Sequence, residues 1–145
     1  MDCNNFFVSC ERLFRPDLQK KPVVVLSSND GCVVARSQEV KDMGIPMGVP
    51  HFKVKREFAQ AGVVVFSSNF TLYRDISARV MRTLREEAES VQQYSVDEAF
   101  FSVPVDENEI YPAVGELARI KAAIERKVGV PVSIGLAETK TLAKV

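Results

Sequence analysis

Tyr94-Ser95-Val96-Asp97-Glu98-Ala99-Phe100-Phe101 sets two adjacent carboxylates between two runs that otherwise read as buried β-strand. Burying an ionised Asp or Glu costs on the order of several kcal/mol unless a cation or a set of donors compensates it. In a regular strand Asp97 and Glu98 point to opposite faces and cannot share one ion. They converge only at a turn or irregularity. The flanks allow one, because Val91 to Tyr94 and Ala99 to Val103 are each strand-length, which places the pair at or beside the tip of a hairpin. A third acid, Asp2, opens the chain just before an apolar helix. If the strand leading into Asp2 lies beside the hairpin, three carboxylates face one point at the sheet edge. That is a hard, all-oxygen site of the kind Mg²⁺ accepts. Two such ions about 4 Å apart activate a hydroxyl and steady the leaving group in phosphoryl transfer. Spacing alone leaves a second reading open, a solvated hairpin turn whose acids need no ligand.

Outward from the motif, the apolar positions of Phe6 to Leu13 recur at helical spacing, and Arg15-Pro16-Asp17 reads as the exit turn. Pro22 to Leu26 and Cys32 to Ala35 are β-rich runs joined by Ser27-Ser28-Asn29-Asp30-Gly31, a predicted hairpin. Ser37 to Met43 reads as a short helix closed by Gly44, Phe52 to Phe58 as a helical turn or two, and Val63 to Phe66 as a short strand. Leu72, Ile76, Val80 and Leu84 mark one stripe of a long helix. After the acidic motif, Val114, Leu117, Ile120, Ile124 and Val128 predict a second long helix ending near Gly129. Val130 to Leu136 reads as the last strand, and Thr139 to Val145 begins a helix. The order around the motif is strand, helix, strand pair, helix, strand. It predicts an α+β fold, a ferredoxin-like palm whose small sheet carries helices on one face. A complete central strand needs more residues ahead of Asp2 than Met1 alone. The fold is therefore expected to be incomplete, a piece of a longer protein.

Bulk properties agree with one ordinary domain: 145 residues, 46% hydrophobic and 26% charged, without repeat or low-complexity tract. Lys plus Arg and Asp plus Glu both number 19, so no global field favours a polyanion and any such contact must be local. No secretory signal or membrane-length apolar run is evident, which predicts a cytoplasmic protein. Cys3, Cys10 and Cys32 form neither a CxxC pair nor a zinc-like spacing with His51, and read as reduced thiols.

The strings Asp2-Cys3-Asn4-Asn5-Phe6-Phe7-Val8-Ser9-Cys10-Glu11, Lys21-Pro22-Val23-Val24-Val25-Leu26-Ser27, Asn29-Asp30-Gly31-Cys32-Val33-Val34-Ala35-Arg36, Ser95-Val96-Asp97-Glu98-Ala99-Phe100 and Gly135-Leu136-Ala137-Glu138-Thr139-Lys140-Thr141-Leu142-Ala143-Lys144 closely resemble the Y-family translesion DNA polymerases. Within that family they are most similar to the UmuC-type branch, and the resemblance runs from end to end of the chain.

It implies the N-terminal part of a lesion-bypass, DNA repair enzyme of the bacterial SOS response. Residues 1–30 and 66–145 correspond to the palm and residues 31–65 to a small fingers subdomain. Asp2, Asp97 and Glu98 match the family's metal-binding carboxylates for two Mg²⁺ ions, with Mn²⁺ as substitute and the Cys3 carbonyl as a further ligand. Asn5 and Phe6 match positions whose backbone amides meet phosphate, as suits a helix N-terminus. Phe7 matches the bulky residue that excludes a ribose 2′-hydroxyl. Lys41 and Lys140 match basic residues near the triphosphate, and Arg36 matches one near the triphosphate or the template base. Many members carry a hydroxyl residue and a Tyr where this chain has Ala35 and Gln38, a replacement the UmuC branch shares. The implied partners are a damaged primer–template, a deoxynucleotide, a UmuD-like subunit and the sliding clamp. The thumb and little-finger domains that supply much of the family's DNA grip lie outside this sequence.

Two other classes of function fit parts of the pattern. A palm-type nucleotidyl cyclase uses an acidic hairpin, but the diguanylate type places two glycines where this chain has Ser95 and Val96. A non-catalytic truncated regulator would keep the fold and occupy the polymerase's partners.

Overall fold

Continuous β-branched runs and helical apolar stripes dominate the chain, and the computed structural model, which describes residues 1–145, folds them into two units, 5–73 and 1–4 with 74–145. The division falls between Asn4 and Asn5 and inside a long helix. It therefore lies elsewhere than the expected palm and fingers boundaries at residues 30 and 65. The strands 23–26 and 33–36 on either side of residue 30 are hydrogen-bonded in one sheet, and residue 65 lies inside the strand 64–66 that pairs with 23–25.

In the 5–73 unit, helix α1 (Phe6–Phe14) is followed by a 3-10 turn (Pro16–Leu18), strands β2 (Val23–Leu26) and β3 (Val33–Arg36), helices α2 (Gln38–Asp42) and α3 (His51–Ala61), and strand β4 (Val64–Phe66). The sheet order is β3-β2-β4, antiparallel between β2 and β3 and parallel between β2 and β4. All four residues of β2 are buried, which is why Val23 to Leu26 is an unbroken apolar run rather than an alternating one. On one face Val24, Leu26 and Val33 join Val40, Ile45, Val54 and Phe58 in a core. Each such side chain contributes about 1.5–3 kcal/mol by leaving water. α3 runs three residues past the expected Phe58 and ends at Gly62, whose φ of 70° no β-carbon-bearing residue adopts cheaply. Its Phe52 is 78% exposed.

The other unit contains β1 (Asp2–Cys3), most of α4 (Phe70–Glu87), β5 (Glu89–Gln93), β6 (Ala99–Ser102), α5 (Tyr111–Lys127), β7 (Val132–Ser133) and α6 (Lys140–Ala143). β1 pairs antiparallel with β7 on one side and is bridged to the chain leading into β6 on the other, while β6 pairs with β5. The spatial order β7-β1-β6-β5 is that of the expected ferredoxin-like palm. α4 buries Ile76, Val80, Met81 and Leu84, all 4% exposed or less. That burial outweighs the weak helix propensity of Ile and Val, a cost under about 1 kcal/mol each.

Two expectations shift here. The buried stripe of α5 is Ala113, Leu117, Ile120, Ala123 and Ile124, and Val114 is half exposed. The last strand shrinks from Val130–Leu136 to two residues. Pro131 has no N–H to add to a ladder, and at Gly135 the Ala143 carbonyl approaches so closely that a β-carbon would lie 2.4 Å from its oxygen. The chain therefore leaves the sheet and turns into α6.

No helix is long and apolar enough to cross a membrane. No disulfide joins the three cysteines, and Cys3 and Cys10 are buried.

Candidate active site

β1 is two residues long, yet backbone hydrogen bonds hold it on both edges. Toward β7 the register is Asp2 with Ser133 and Cys3 with Val132, and the Asn4 N–H donates to the Pro131 carbonyl at 2.9 Å. Toward β6 the terminal amine of Met1 donates to the Ala99 carbonyl at 2.9 Å and the Ala99 N–H returns a bond to the Met1 carbonyl at 3.1 Å. The Cys3 N–H donates to the Asp97 carbonyl at 2.9 Å, and Asp2 faces Glu98 across an isolated antiparallel bridge. Asp2 is thereby placed beside the acidic pair by main-chain geometry alone.

Residues 94–98 form the turn that the two adjacent acids require. The Tyr94 and Ser95 N–H groups both donate to the Glu98 carbonyl, at 3.0 and 3.2 Å, and end the strand alternation there. Both acids then reach one hydroxyl: Ser95 Oγ lies 2.9 Å from Asp97 Oδ1 and 3.2 Å from Glu98 Oε2. From below, the Ser77 hydroxyl of α4 donates to the Val96 carbonyl and ties the turn to the helix.

The electrostatics follow from this crowding. Partial burial raises the carboxyl of Asp2 above its ordinary value, and the charges of Asp97 and Glu98 raise it further, with the terminal amine and Lys144 opposing. Burial lowers the Met1 amine. Burial, with Asp97 and Asp2 adding to it, pushes the Cys3 thiol up to about 12. Without a metal that thiol keeps its proton at neutral pH, and the hard oxygen of the Cys3 carbonyl is the donor that suits Mg²⁺. The donor set is all oxygen and carries three negative charges whose mutual repulsion a hard divalent cation would relieve, which fits magnesium or manganese. The carboxylates are not drawn into one preformed coordination sphere, and no group of three His, Cys, Asp or Glu side chains is so placed. Lys144 Nζ sits 3.3 Å from Glu98 Oε1 instead.

The other expected site residues divide between the units. In the 5–73 unit Asn5 precedes α1 in the left-handed region, φ 45° and ψ 54°, without a side-chain cap for the helix amides. Its Oδ1 accepts from Lys41 Nζ at 2.6 Å, so these two expected residues meet. Phe6 is 4% exposed and belongs to the core. Phe7 is half-buried and stacks on Tyr73 at 4.4 Å between centroids, with Phe70 at its edge. Tyr73 is held in turn by its bond to Glu11 Oε1 at 2.8 Å. Ala35 is a buried methyl in β3, and Gln38 is exposed and donates to Asp42 Oδ1. Arg36 Nη1 donates to the Ile45 carbonyl at 2.6 Å, which assigns one of its donors to the protein itself. In the other unit Lys140 donates to Gln92 Oε1 and lies over the Phe100 ring.

Sequence reasoning gave no role to Ser95, although it stands two residues before Asp97 in the decisive stretch. It also missed Lys144, which no local pattern connects to Glu98.

The sequence profile described as the impB/mucB/samB family matches residues 1–145. Protein UmuC of Salmonella typhimurium is 49% identical over 145 residues, covering 99% of this chain and 34% of the relative. DNA polymerase IV of Dehalococcoides mccartyi is 34% identical over 148 residues, covering 100% of this chain and 37% of the relative. Among solved structures, DinB from Sulfolobus solfataricus has a TM-score of 0.87 at 27% identity, over 99% of this chain and 42% of that one. An insertion ternary complex of Dbh DNA polymerase also has a TM-score of 0.87, at 28% identity, over 99% of this chain and 43% of that one. The chain thus spans about a third of the length of the curated relatives it matches.

Proposed function

The chain belongs to the impB/mucB/samB family of Y-family DNA polymerases, and from this we propose that it is the N-terminal catalytic portion of a UmuC-type lesion-bypass polymerase. The observation that carries the reading is the main-chain lock between Cys3 and Asp97, which sets Asp2 next to Asp97 and Glu98.

The reaction is nucleotidyl transfer from a deoxynucleoside triphosphate to a primer 3′-hydroxyl. Asp2, Asp97, Glu98 and the Cys3 carbonyl would hold the two divalent ions. Bound there, magnesium would sharpen the 3′-hydroxyl as a nucleophile and neutralise charge on the triphosphate. Ser95 orients Asp97 and Glu98 toward one side. The uncapped amides at the start of α1, at Asn5 and Phe6, meet phosphate oxygens, helped by the positive end of the helix. Lys41 and Lys140 add positive charge for the triphosphate. Phe7, braced by Tyr73, presents a wall that a 2′-hydroxyl would strike. Ala35 and Gln38 line the nucleotide side without the hydroxyl contacts of other members.

Residues 1–30 and 66–145 serve as palm and residues 31–65, with β3, α2 and α3, as fingers. Damaged DNA, a UmuD-like subunit and a sliding clamp are the partners of the longer protein. Such an enzyme works on the chromosome in the bacterial cytoplasm.

Titration of the protein with Mn²⁺ and a deoxynucleoside triphosphate tests the reading. Saturable binding of the pair is expected in the parent and its loss in Asp97→Ala. Equal binding by the variant refutes the site.

A further inference from the structure

We propose that Lys144, seated on the face of Tyr94, is a tethered counter-cation that pairs with Glu98 before metal binds and is displaced from the carboxylate when a divalent ion takes it. The inference rests on the metal-site reading above and adds a residue that tunes its affinity.

The ammonium of Lys144 touches two groups at once, Glu98 Oε1 at 3.3 Å and the Tyr94 ring, whose centroid lies 4.5 Å away. Both contacts lie in the same unit and are made from one side-chain position, so the ring steadies the ammonium beside the carboxylate. Tyr94 is 62% exposed, and the ammonium lies over its face. The ring is itself braced by Phe100, edge to face at 5.5 Å and 72°.

α6 delivers the lysine. Thr139 Oγ1 caps the helix by accepting from the Leu142 N–H at 3.2 Å. Lys140 and Lys144, four residues apart, lie on one face of it and meet the two rings of the hairpin, Lys140 over Phe100 and Lys144 over Tyr94. The two lysines thus stand on two adjoining rings, 5.6 and 4.5 Å from their centroids. Without a cation, Asp2, Asp97 and Glu98 repel one another, and Lys144 offsets part of that charge. A divalent ion brings more charge than the lysine and repels it. The side chains of Lys144 and Glu98 are 45% and 26% exposed. A pair that open to water is worth about 1.5- to 5-fold in an equilibrium. It is too weak to block metal and strong enough to shift the concentration at which metal binds.

Mn²⁺ binding to the 145-residue chain, read from the electron paramagnetic resonance of the free ion, tests this without any turnover. Lys144→Gln is expected to bind Mn²⁺ about two- to fivefold tighter than the parent, and Lys144→Arg to match the parent. Tyr94→Leu removes the ring that steadies the ammonium beside Glu98 and is expected to tighten binding, by less than Lys144→Gln does. In a Glu98→Gln background the effect of Lys144→Gln should disappear. Unchanged or weaker binding in Lys144→Gln overturns the proposal, as does an equal gain in the Glu98→Gln background. Circular dichroism of each variant verifies the fold. A parent with no saturable Mn²⁺ binding sensitive to Asp97→Asn refutes the metal site itself, whereas saturable binding indifferent to Lys144 overturns the lysine's role alone.

Discussion

Ser95 Oγ and Asp97 Oδ1 are 2.9 Å apart, and the same hydroxyl oxygen lies 3.2 Å from Glu98 Oε2. A serine has one proton to donate, so it serves one acid at a time while holding both within its reach. Two adjacent side chains that a strand would send to opposite faces are thus gathered on one side.

Ser95→Ala removes that shared donor. Stability is expected to fall by about 1 kcal/mol, typical of a lost hydrogen bond, measurable by urea denaturation. Mn²⁺ affinity should fall several-fold, because the acids lose their common orientation. Parental affinity in the variant would show that the turn backbone alone positions them.

Asp2 supplies a pH signature. Its carboxyl binds a proton more tightly folded than unfolded, owing first to partial burial and then to Asp97 and Glu98. Folding therefore takes up protons between the ordinary value of 3.8 and the raised one. This contribution to stability is fully present below 3.8 and is lost as pH rises through the folded value. Asp2→Asn cannot ionise and should be the more stable protein at pH 7, by a small margin because the side chain is exposed, with the margin vanishing near pH 3. A divalent ion reverses the ranking: at a hundredfold excess over its dissociation constant it adds about 2.7 kcal/mol to the parent. Thermal melts at both pH values, with and without Mg²⁺, check both halves. A parent more stable than Asp2→Asn at pH 7 without metal contradicts the assignment.

Phe7 packs on Tyr73 and is proposed to select against a ribose 2′-hydroxyl. Its near-parallel stack on Tyr73, 4.4 Å and 14°, means that Phe7→Ala loses ring contact as well as buried area, and about 2–3 kcal/mol of stability should go with it. Phe7→Leu retains more of the packing but shortens the wall. In nucleotide competition experiments its preference for deoxyribonucleotide over ribonucleotide should shrink. An undiminished preference assigns Phe7 to packing only.

Gly135 controls the seat of α6. A β-carbon there would lie 2.4 Å from the Ala143 carbonyl oxygen, a backbone atom that cannot turn aside. Gly135→Ala should push α6 off the strand, carrying Lys144 away from Glu98, and expose the C-terminal segment to protease. Limited proteolysis comparing the two proteins decides it, and equal cleavage rates would show that the loop absorbs the methyl group.

Much of the fold is legible in local patterns, because periodicity records which face is buried. The β2 run, the α4 stripe of Ile76, Val80 and Leu84, and the strand pair around the acids all lie where their apolar spacing predicts. Patterns fail where neighbours far along the chain intervene. Val114 carries the right spacing for α5, yet Ala113 takes the buried place. Val130 to Leu136 reads as seven residues of strand, but the close approach of α6 at Gly135 leaves two.

The sequence by itself determined the family, the ferredoxin-like order and the identity of the three acids, because these depend on residue types and spacing along the chain. Only the tertiary structure decided that Asp2 and Glu98 are neighbours, since that rests on hydrogen bonds from Cys3 and Ala99 between segments nearly a hundred residues apart. It alone turned Asp97 and Glu98 to one side through Ser95, and it alone brought Lys144 to Glu98. Charges act through space rather than along the chain, so the site's electrostatics exist only once folding has set those distances.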